Sequence, residues 1–310
     1  MAVTRRNLFR AAQWIFAGLV LLFAGRALFD QWNLAEARFI HVHLKCGSLL
    51  LASLIVLATY AVLIEGWRRV LQAWGGRLNY LSAARIWCIS NLGKYVPGNV
   101  WSLTAMGVMS RNRGISAVAA TASSVIMQML TLTLGLAVVL LTGSELIGQP
   151  LLVGAAALVL VGLILFAPRI LPPLTRVIGR ITGREIQEPR IPAGTVWGAS
   201  IAAGVTWILY GVAFRIFTTG VLGSAPGATL SYIAVYTAAY ILGFISPIAP
   251  AGLGVREVAL AAGMAQFGLA TEGDAALVAL TARLWLTIVE LIPSGIFIAV
   301  AAVRRRETSI

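Results

Sequence analysis

Charged side chains are scarce in this sequence. They make up 11% of the 310 residues, whereas a soluble globular domain carries about 25%. Hydrophobic residues make up 59%, and long runs contain almost no charge. So little charge cannot cover the surface of a soluble protein. The composition therefore excludes that class and indicates an all-α integral membrane protein.

Several catalytic signatures are also missing. The sequence contains no His-Glu-x-x-His zinc motif, no Gly-x-Ser-x-Gly nucleophile motif and no Walker loop. The two cysteines, Cys46 and Cys88, are predicted near opposite faces of the membrane, which indicates neither a disulfide nor a metal site. We therefore predict no cofactor, no metal and no enzymatic activity.

Positive charge is in excess, with a formal net charge of +13. The arginines lie in short segments between apolar runs, so the positive-inside rule explains them better than a nucleic-acid partner does. Only Lys45 and Lys94 are lysines, a bias that is typical of a GC-rich bacterial genome. We expect a multi-pass protein of the bacterial inner membrane whose N- and C-termini are both cytoplasmic.

Six apolar runs are long enough to predict full transmembrane spans, because about 20 apolar residues cross the hydrocarbon core. They lie near residues 11–29, 46–64, 114–141, 150–167, 194–222 and 275–303. With six spans, every arginine cluster falls on one side of the membrane, which the positive-inside rule makes the cytoplasm.

Two further apolar regions, 81–110 and 229–268, are interrupted by helix breakers. Pro97 and Gly98 break the first region, and the breakers of the second are Pro247, Pro250, Gly252 and Gly254. Each region must begin and end on the same side, so we predict two re-entrant helical hairpins. For 229–268, two ordinary spans with a proline-rich loop stay open as an alternative.

The resulting order is span, hairpin, span in residues 46–141, and again in residues 194–303 with the opposite orientation. This predicts an inverted-topology repeat within one polytopic membrane domain, 1–310. Inverted repeats with broken helices at corresponding positions are typical of transporters, and the breaks mark the substrate site.

Both breaks suit an anion. The helix that follows each break begins near Gly98 or Gly254, where unpaired N–H groups and the helix dipole favour negative charge. Lys94 and Arg256 add a full positive charge. We therefore predict that an anionic group such as a phosphate binds between the breaks, to the following residues: Asn91, Lys94, Tyr95, Gly98, Asn99, Gly252, Gly254 and Arg256. A structural role for the two charges stays open.

Charged residues also lie inside the apolar segments, and they are predicted to form an intramembrane network: Arg215, Glu257, Arg283 and Glu290. Glu290 lies near the middle of its span, and Arg283 is two turns away on the same helix face. We predict that Glu290 pairs with Arg256 or Arg283. A proton-carrying role for Glu290 stays open.

Two segments resemble the motifs of a known family. Residues Gly93–Trp101 read GKYVPGNVW, and Pro250–Glu257 read PAGLGVRE. They resemble the lysylphosphatidylglycerol synthase transmembrane, or flippase-like, family, which includes the membrane domain of the bacterial multiple-peptide-resistance factor. The resemblance covers roughly residues 10–303. The family often has Gly-Gly after the second proline, where this sequence has Ala251 and Gly252.

The resemblance implies a transporter-like fold that handles amphiphilic lipids, without the lysyl-transfer activity of a separate synthase domain. We therefore expect a lipid translocase, or flippase, for an anionic phospholipid or a polyprenyl-phosphate-linked lipid. Membrane lipids are the expected partners, and association with further copies of the chain stays open. Two alternatives remain: a membrane-embedded lipid-linked glycosyl or headgroup transferase, and a non-transporting partner subunit.

Overall fold

A computed structural model describes residues 44–95, 101–143, 150–182, 191–246 and 250–307. The regular secondary structure in these ranges is entirely helical. Their helices are α1 (Cys46–Ala73), α2 (Tyr80–Asn91), α3 (Trp101–Arg111), α4 (Ala117–Thr142), α5 (Pro150–Thr182), α6 (Ala193–Leu222), α7 (Thr229–Ile245), α8 (Val255–Gln266) and α9 (Glu272–Glu307). Two short 3₁₀ turns complete the set: the first tip turn is Leu92–Tyr95 and the second tip turn is Pro250–Gly252.

Four of the predicted spans are helices that are long and apolar enough to cross a membrane: α1, α4, α6 and α9. The chain is thus a multi-pass membrane protein. The predicted span 11–29 lies outside the described residues. The predicted span 150–167 lies in α5, whose apolar described part, Val153–Arg169, falls just short of a full span. The prediction of six full spans is therefore supported for four of them.

The arginine-rich segment between the predicted spans 150–167 and 194–222, expected from its charge to be a loop, is helical as far as Thr182. Helix α5 continues to Thr182, so Arg169, Arg176 and Arg180 lie on a helix rather than in a loop. Pro168 directly follows the predicted span, and Pro172 and Pro173 follow one turn later, yet the helix accommodates all three. The basic residues alone gave no signal for where the helix ends.

The start of α2 is fixed by local chemistry. The side chain of Asn79 accepts a hydrogen bond from the backbone N–H of Ser82 at 2.8 Å, as an N-cap residue does. Helix α2 has 12 residues and α3 has 11. At 1.5 Å per residue each is about 16–18 Å long, which is well short of the roughly 30 Å hydrocarbon core.

Helices α2 and α3 form a hairpin. They pack against each other, and Arg113 after α3 donates a hydrogen bond to the Ser82 hydroxyl at 3.1 Å. The first tip turn lies at the opposite end of the pair, where Gly93 approaches the start of α3. A Cβ atom on Gly93 would come within 2.6 Å of the Ser102 backbone nitrogen. Glycine is therefore required for this close approach.

Helices α7 and α8 form a second pair of the same kind. Their outer ends meet, because a Cβ on Gly227 would lie 2.7 Å from the Leu269 side chain. Near the second tip turn, a Cβ on Gly252 would lie 2.9 Å from the Cα of Gly243. The two tip turns contact each other. Two pairs of short helices thus meet at their broken ends.

The order of helix lengths occurs twice along the chain. Lengths of 28, 12, 11 and 26 residues in α1 to α4 are followed by 30, 17, 12 and 36 in α6 to α9. Helices α1 and α6 pack antiparallel. At the start of α1, the Lys45 backbone N–H donates to Gly220 at 2.9 Å, and its ammonium donates to Gly223 at 2.7 Å.

Candidate functional site

The carboxylate of Glu290, on α9, is the centre of a polar cluster. Its Oε1 lies 2.6 Å from the Lys94 ammonium of the first tip turn. Its Oε2 accepts a hydrogen bond from Tyr95 at 2.7 Å, and Tyr60 on α1 donates to Oε1 at 3.2 Å. Both carboxylate oxygens are therefore bound, and the cluster joins the first tip turn to α9.

The prediction that Glu290 pairs with Arg256 or Arg283 was wrong in its partner. The residue is held within the protein by a basic group, as expected from the cost of an isolated charge at that depth. That group is Lys94, 196 residues earlier in the chain. The sequence spacing placed Arg283 on the same helix face, but the packing of α2 against α9 brings Lys94 to Glu290.

Arg283 belongs to a second cluster. Its Nε lies 3.5 Å from Oε1 of Glu257, a carboxylate that is almost completely buried. Its Nη1 donates to the backbone oxygen of Ala251 at 3.1 Å. Glu257 also accepts a hydrogen bond from the Gly254 N–H at 2.6 Å. The N–H at the start of α8, predicted for a lipid phosphate, is thus already bound to a carboxylate of the protein.

Arg256 has aromatic partners, whereas Lys94 and Arg283 each pair with a carboxylate. Its Nη2 donates to the Tyr236 hydroxyl at 2.8 Å, and its guanidinium lies 5.1 Å from the Tyr236 ring and 4.8 Å from the Tyr240 ring. No described carboxylate lies within ion-pair distance of it. Cation–π contacts leave the net charge of the guanidinium in place, so Arg256 is a cation beside the tips without a direct ion-pair partner among the described carboxylates.

Not every predicted site residue joins these clusters. Arg215 hydrogen-bonds to Thr229 and lies 5.9 Å from the Tyr232 ring, at the start of α7, and no described contact connects it to Glu257, Arg283 or Glu290. Gly98 and Asn99 lie outside the described residues. Asn91 is the last residue of α2, and Gly252 ends the second tip turn.

Ala251 has a backbone conformation that is unusual for its type. Its φ is 51°, in the left-handed region, and Gly252 and Gly254 follow with φ of 72° and 82°. Left-handed backbone costs a residue with a Cβ roughly 1–2 kcal/mol. The departure from Gly-Gly noted in the sequence thus falls at a position where the fold requires a left-handed residue.

A cavity of about 160 Å³ lies beside the Lys94–Glu290 pair. The helices form two quartets, α1–α4 and α6–α9. All four helices of the first quartet line the cavity, together with α6, α7 and α9 of the second. Its neutral polar lining residues are Ser90, Asn91, Ser102, Ser124, Gln128, Thr131 and Thr206. A single water needs about 10–15 Å³ of such space, so the cavity has room for a group of several non-hydrogen atoms.

Aromatic rings form much of the remaining wall: Tyr60, Trp67, Trp87, Trp207, Tyr210 and Tyr240. The rings also contact one another. Trp207 lies 5.2 Å from Tyr240, and Tyr60 lies 5.4 Å from Trp87. The Arg256 guanidinium lies 4.8 Å from the Tyr240 ring, so this cation is next to the cavity wall.

Sequence analysis missed this aromatic wall. One signal was available, since Tyr232, Tyr236 and Tyr240 recur every four residues and therefore share one face of a helix. The other rings come from separate helices, and no motif connects them. Only the packing of both quartets brings them together.

The sequence profile of a family described as the lysylphosphatidylglycerol synthase TM region matches residues 11–294. The chain belongs to this family. The match covers all helices that contribute to the tips and to the cavity, and it confirms the resemblance seen in the two motifs. A family of this description connects the chain to lipid handling in the membrane. A comparison with curated proteins finds no match.

Proposed function

We propose that this protein is a lipid translocase that carries a lipid with an anionic phosphate across the bacterial inner membrane. The substrate is a phospholipid or a polyprenyl-phosphate-linked lipid. Its phosphate is held at the tips while its apolar chains stay in the bilayer. The observation that carries the proposal is Arg256, a cation without a direct ion-pair partner among the described residues, beside a polar cavity between two broken helix pairs.

The charge balance at the tips supports this. Three cations, Lys94, Arg256 and Arg283, stand against two carboxylates, Glu257 and Glu290. The described charged residues at and beside the tip turns therefore carry one net positive charge. A phosphodiester carries one negative charge, so it would neutralise the group. Arg256 is the natural partner, because Lys94 and Arg283 each already have a carboxylate.

The architecture suits alternating access. In this proposal α2–α3 and α7–α8 are re-entrant hairpins that enter from opposite faces, and residues 46–141 and 194–303 are inverted repeats. The antiparallel packing of α1 and α6 and the contact between the tip turns support this arrangement. Rocking of one repeat against the other would then open the tips to each side in turn.

A transferase would need a general base in the cavity. Of the two candidates, Glu257 and Glu290, only Glu290 lines the cavity. Both of its carboxylate oxygens are already bound, by Lys94, Tyr95 and Tyr60, so the geometry favours binding over catalysis.

The test uses the purified protein in liposomes that contain a phospholipid with a fluorescent acyl chain. Dithionite reduces the label only in the outer leaflet, so translocation appears as loss of the protected inner-leaflet signal. We expect the wild type to lose most of that signal. Replacing Arg256→Gln should slow the loss about tenfold or more, since a charge-assisted contact contributes about 1.5–3 kcal/mol.

Arg215→Gln is the matched control. It removes the same charge from a neighbouring helix, but Arg215 contacts Thr229 rather than the tips. Its rate should stay close to that of the wild type. Equal loss of rate in both variants would show that Arg256 has no special role. A wild type that is monodisperse but leaves the inner-leaflet signal protected would overturn the proposal of translocation.

A further inference from the structure

The cavity lining carries information about the headgroup attached to the phosphate. Among the residues that the structure describes, two charged ones, Lys94 and Glu290, line it, and they neutralise each other at 2.6 Å. The remaining polar lining is neutral. A cationic headgroup would need a carboxylate of its own, but both oxygens of Glu290 are already bound by Lys94, Tyr95 and Tyr60. The cavity is therefore poorly suited to an ammonium group.

The neutral groups are open for hydrogen bonds. No other described residue hydrogen-bonds to the side-chain amides of Asn91 or Gln128, and both line the cavity. Each amide offers a donor and an acceptor. The hydroxyls of Thr131 and Thr206 donate to backbone oxygens of their own helices at 2.8 and 2.7 Å, which leaves their oxygens free to accept. This mixture matches a ligand whose groups both donate and accept.

Hydroxyl groups have that property. The aromatic wall adds a second feature. The C–H groups of a polyol form an apolar face, and this face packs on the ring of an aromatic side chain. Trp87 and Trp207 lie on opposite quartets, on α2 and α6, and both line the cavity. A ligand with C–H faces and hydroxyl edges would satisfy both kinds of wall.

From these contacts we infer that the cavity binds an uncharged polyhydroxylated headgroup, a sugar or a glycerol, with its phosphate beside Arg256. This inference rests on the proposed function, and it names the substrate class. Asn91 and Gln128 hydrogen-bond to the hydroxyls, and the aromatic wall excludes water from the opposite side. A phosphate without such a headgroup binds at the tips alone, and more weakly.

The experiment measures binding rather than transport, so that it can fail separately from the translocase proposal. Tryptophan fluorescence of the full chain in detergent is followed during titration with short-chain lipids, since three tryptophans line the cavity. The probes are dioctanoyl phosphatidylinositol, phosphatidylglycerol, phosphatidic acid and phosphatidylethanolamine. The first two carry a cyclic and a linear polyol, the third a bare phosphate, and the fourth an ammonium group.

We expect both polyol lipids to bind about tenfold or more tightly than phosphatidic acid and phosphatidylethanolamine, as two or three extra hydrogen bonds imply. Tighter binding of phosphatidylinositol would identify a sugar-like headgroup, and tighter binding of phosphatidylglycerol a glycerol. Equal binding of all four lipids, or preference for the bare phosphate or the ammonium lipid, would overturn the inference and leave the translocase proposal standing.

Gln128→Met adds a test within the cavity. It should weaken binding of the polyol lipids about three- to tenfold and leave phosphatidic acid unaffected, because one hydrogen-bonding amide contributes about 0.5–1.5 kcal/mol. Met129→Leu is the matched control, since Met129 is the next residue of α4, is exposed and does not line the cavity. Unchanged polyol affinity in folded Gln128→Met would count against the inference. If this variant does not fold, the lipid preference of the wild type still decides.

Discussion

Replacing Lys94 should show how much its ion pair with Glu290 contributes to the free energy of unfolding. Breaking a fully buried pair by deleting one partner costs about 3–5 kcal/mol, because the other charge stays behind unpaired. Here the Lys94 side chain is 26% exposed and that of Glu290 is 16% exposed, so water in the cavity screens part of the loss. For Lys94→Met we expect the free energy of unfolding to fall by about 2–3 kcal/mol.

The opposite deletion should be milder. In Glu290→Gln the carboxamide oxygen can still accept a hydrogen bond from Tyr95, and the Lys94 ammonium, the more exposed partner, can turn to water. We expect a loss of about 1–2 kcal/mol. The double variant should then be more stable than the sum of the two losses predicts, by about 1–3 kcal/mol, which is the coupling energy of the pair.

The assay is equilibrium unfolding in mixed micelles with increasing SDS, followed by circular dichroism. Arg69→Met is the control, since Arg69 pairs with Glu65 at 2.8 Å but is 63% exposed. Exposed pairs contribute little, and Glu65 keeps Arg68, so the loss should be below about 1 kcal/mol. Additivity of the Lys94 and Glu290 losses within about 0.5 kcal/mol would refute the coupling.

Three further outcomes follow from the tips and the hairpin ends. Ala251→Gly should stabilise the protein by about 1 kcal/mol, because glycine adopts the left-handed backbone of this position without strain. The control, Ala261→Gly in the middle of α8, should destabilise it by about 1 kcal/mol. SDS unfolding measures both, and a lower free energy of unfolding for Ala251→Gly would contradict backbone strain at this position. Gly93→Ala should lower stability by about 1–3 kcal/mol in the same assay, since the new methyl would overlap backbone atoms; wild-type stability would show that the tip turn can move aside. Single cysteines replacing Tyr80 and Asn112, in a chain lacking its own cysteines, should both react with an impermeant maleimide from the cytoplasmic side only, and reaction from opposite sides would exclude a re-entrant α2–α3 hairpin.

The positions of the helices could be predicted because breakers and apolar length act locally. Clustered proline and glycine marked the interruptions between α2 and α3 and between α7 and α8 in the sequence. Proline by itself is not decisive, because α5 contains Pro172 and Pro173 and α9 contains Pro293. The four long spans were found within a few residues at most ends, except for α1, which continues nine residues past the predicted end to Ala73. Its last turns are amphipathic rather than apolar, and hydropathy does not report them.

The partners of the charges could not be predicted, because they depend on which helices become neighbours. Sequence spacing connects Arg283 to Glu290 within α9, yet each binds a residue from another segment: Glu257 of α8 and Lys94 of the first tip turn. Most of the cavity lining could not be predicted for the same reason. Its walls come from seven helices and the first tip turn, and apart from Lys94 the lining residues belong to neither motif.

The contact between Lys94 and Glu290 also has a consequence for how the chain is made. The two residues are 196 positions apart, and a ribosome adds about 5–20 residues per second. For roughly 10–40 seconds after Lys94 is synthesised, its carboxylate partner does not yet exist. The first tip turn can therefore reach its final contacts only after α9 has been synthesised. Insertion of α1 to α4 is then provisional, and the last helix completes the first half of the protein.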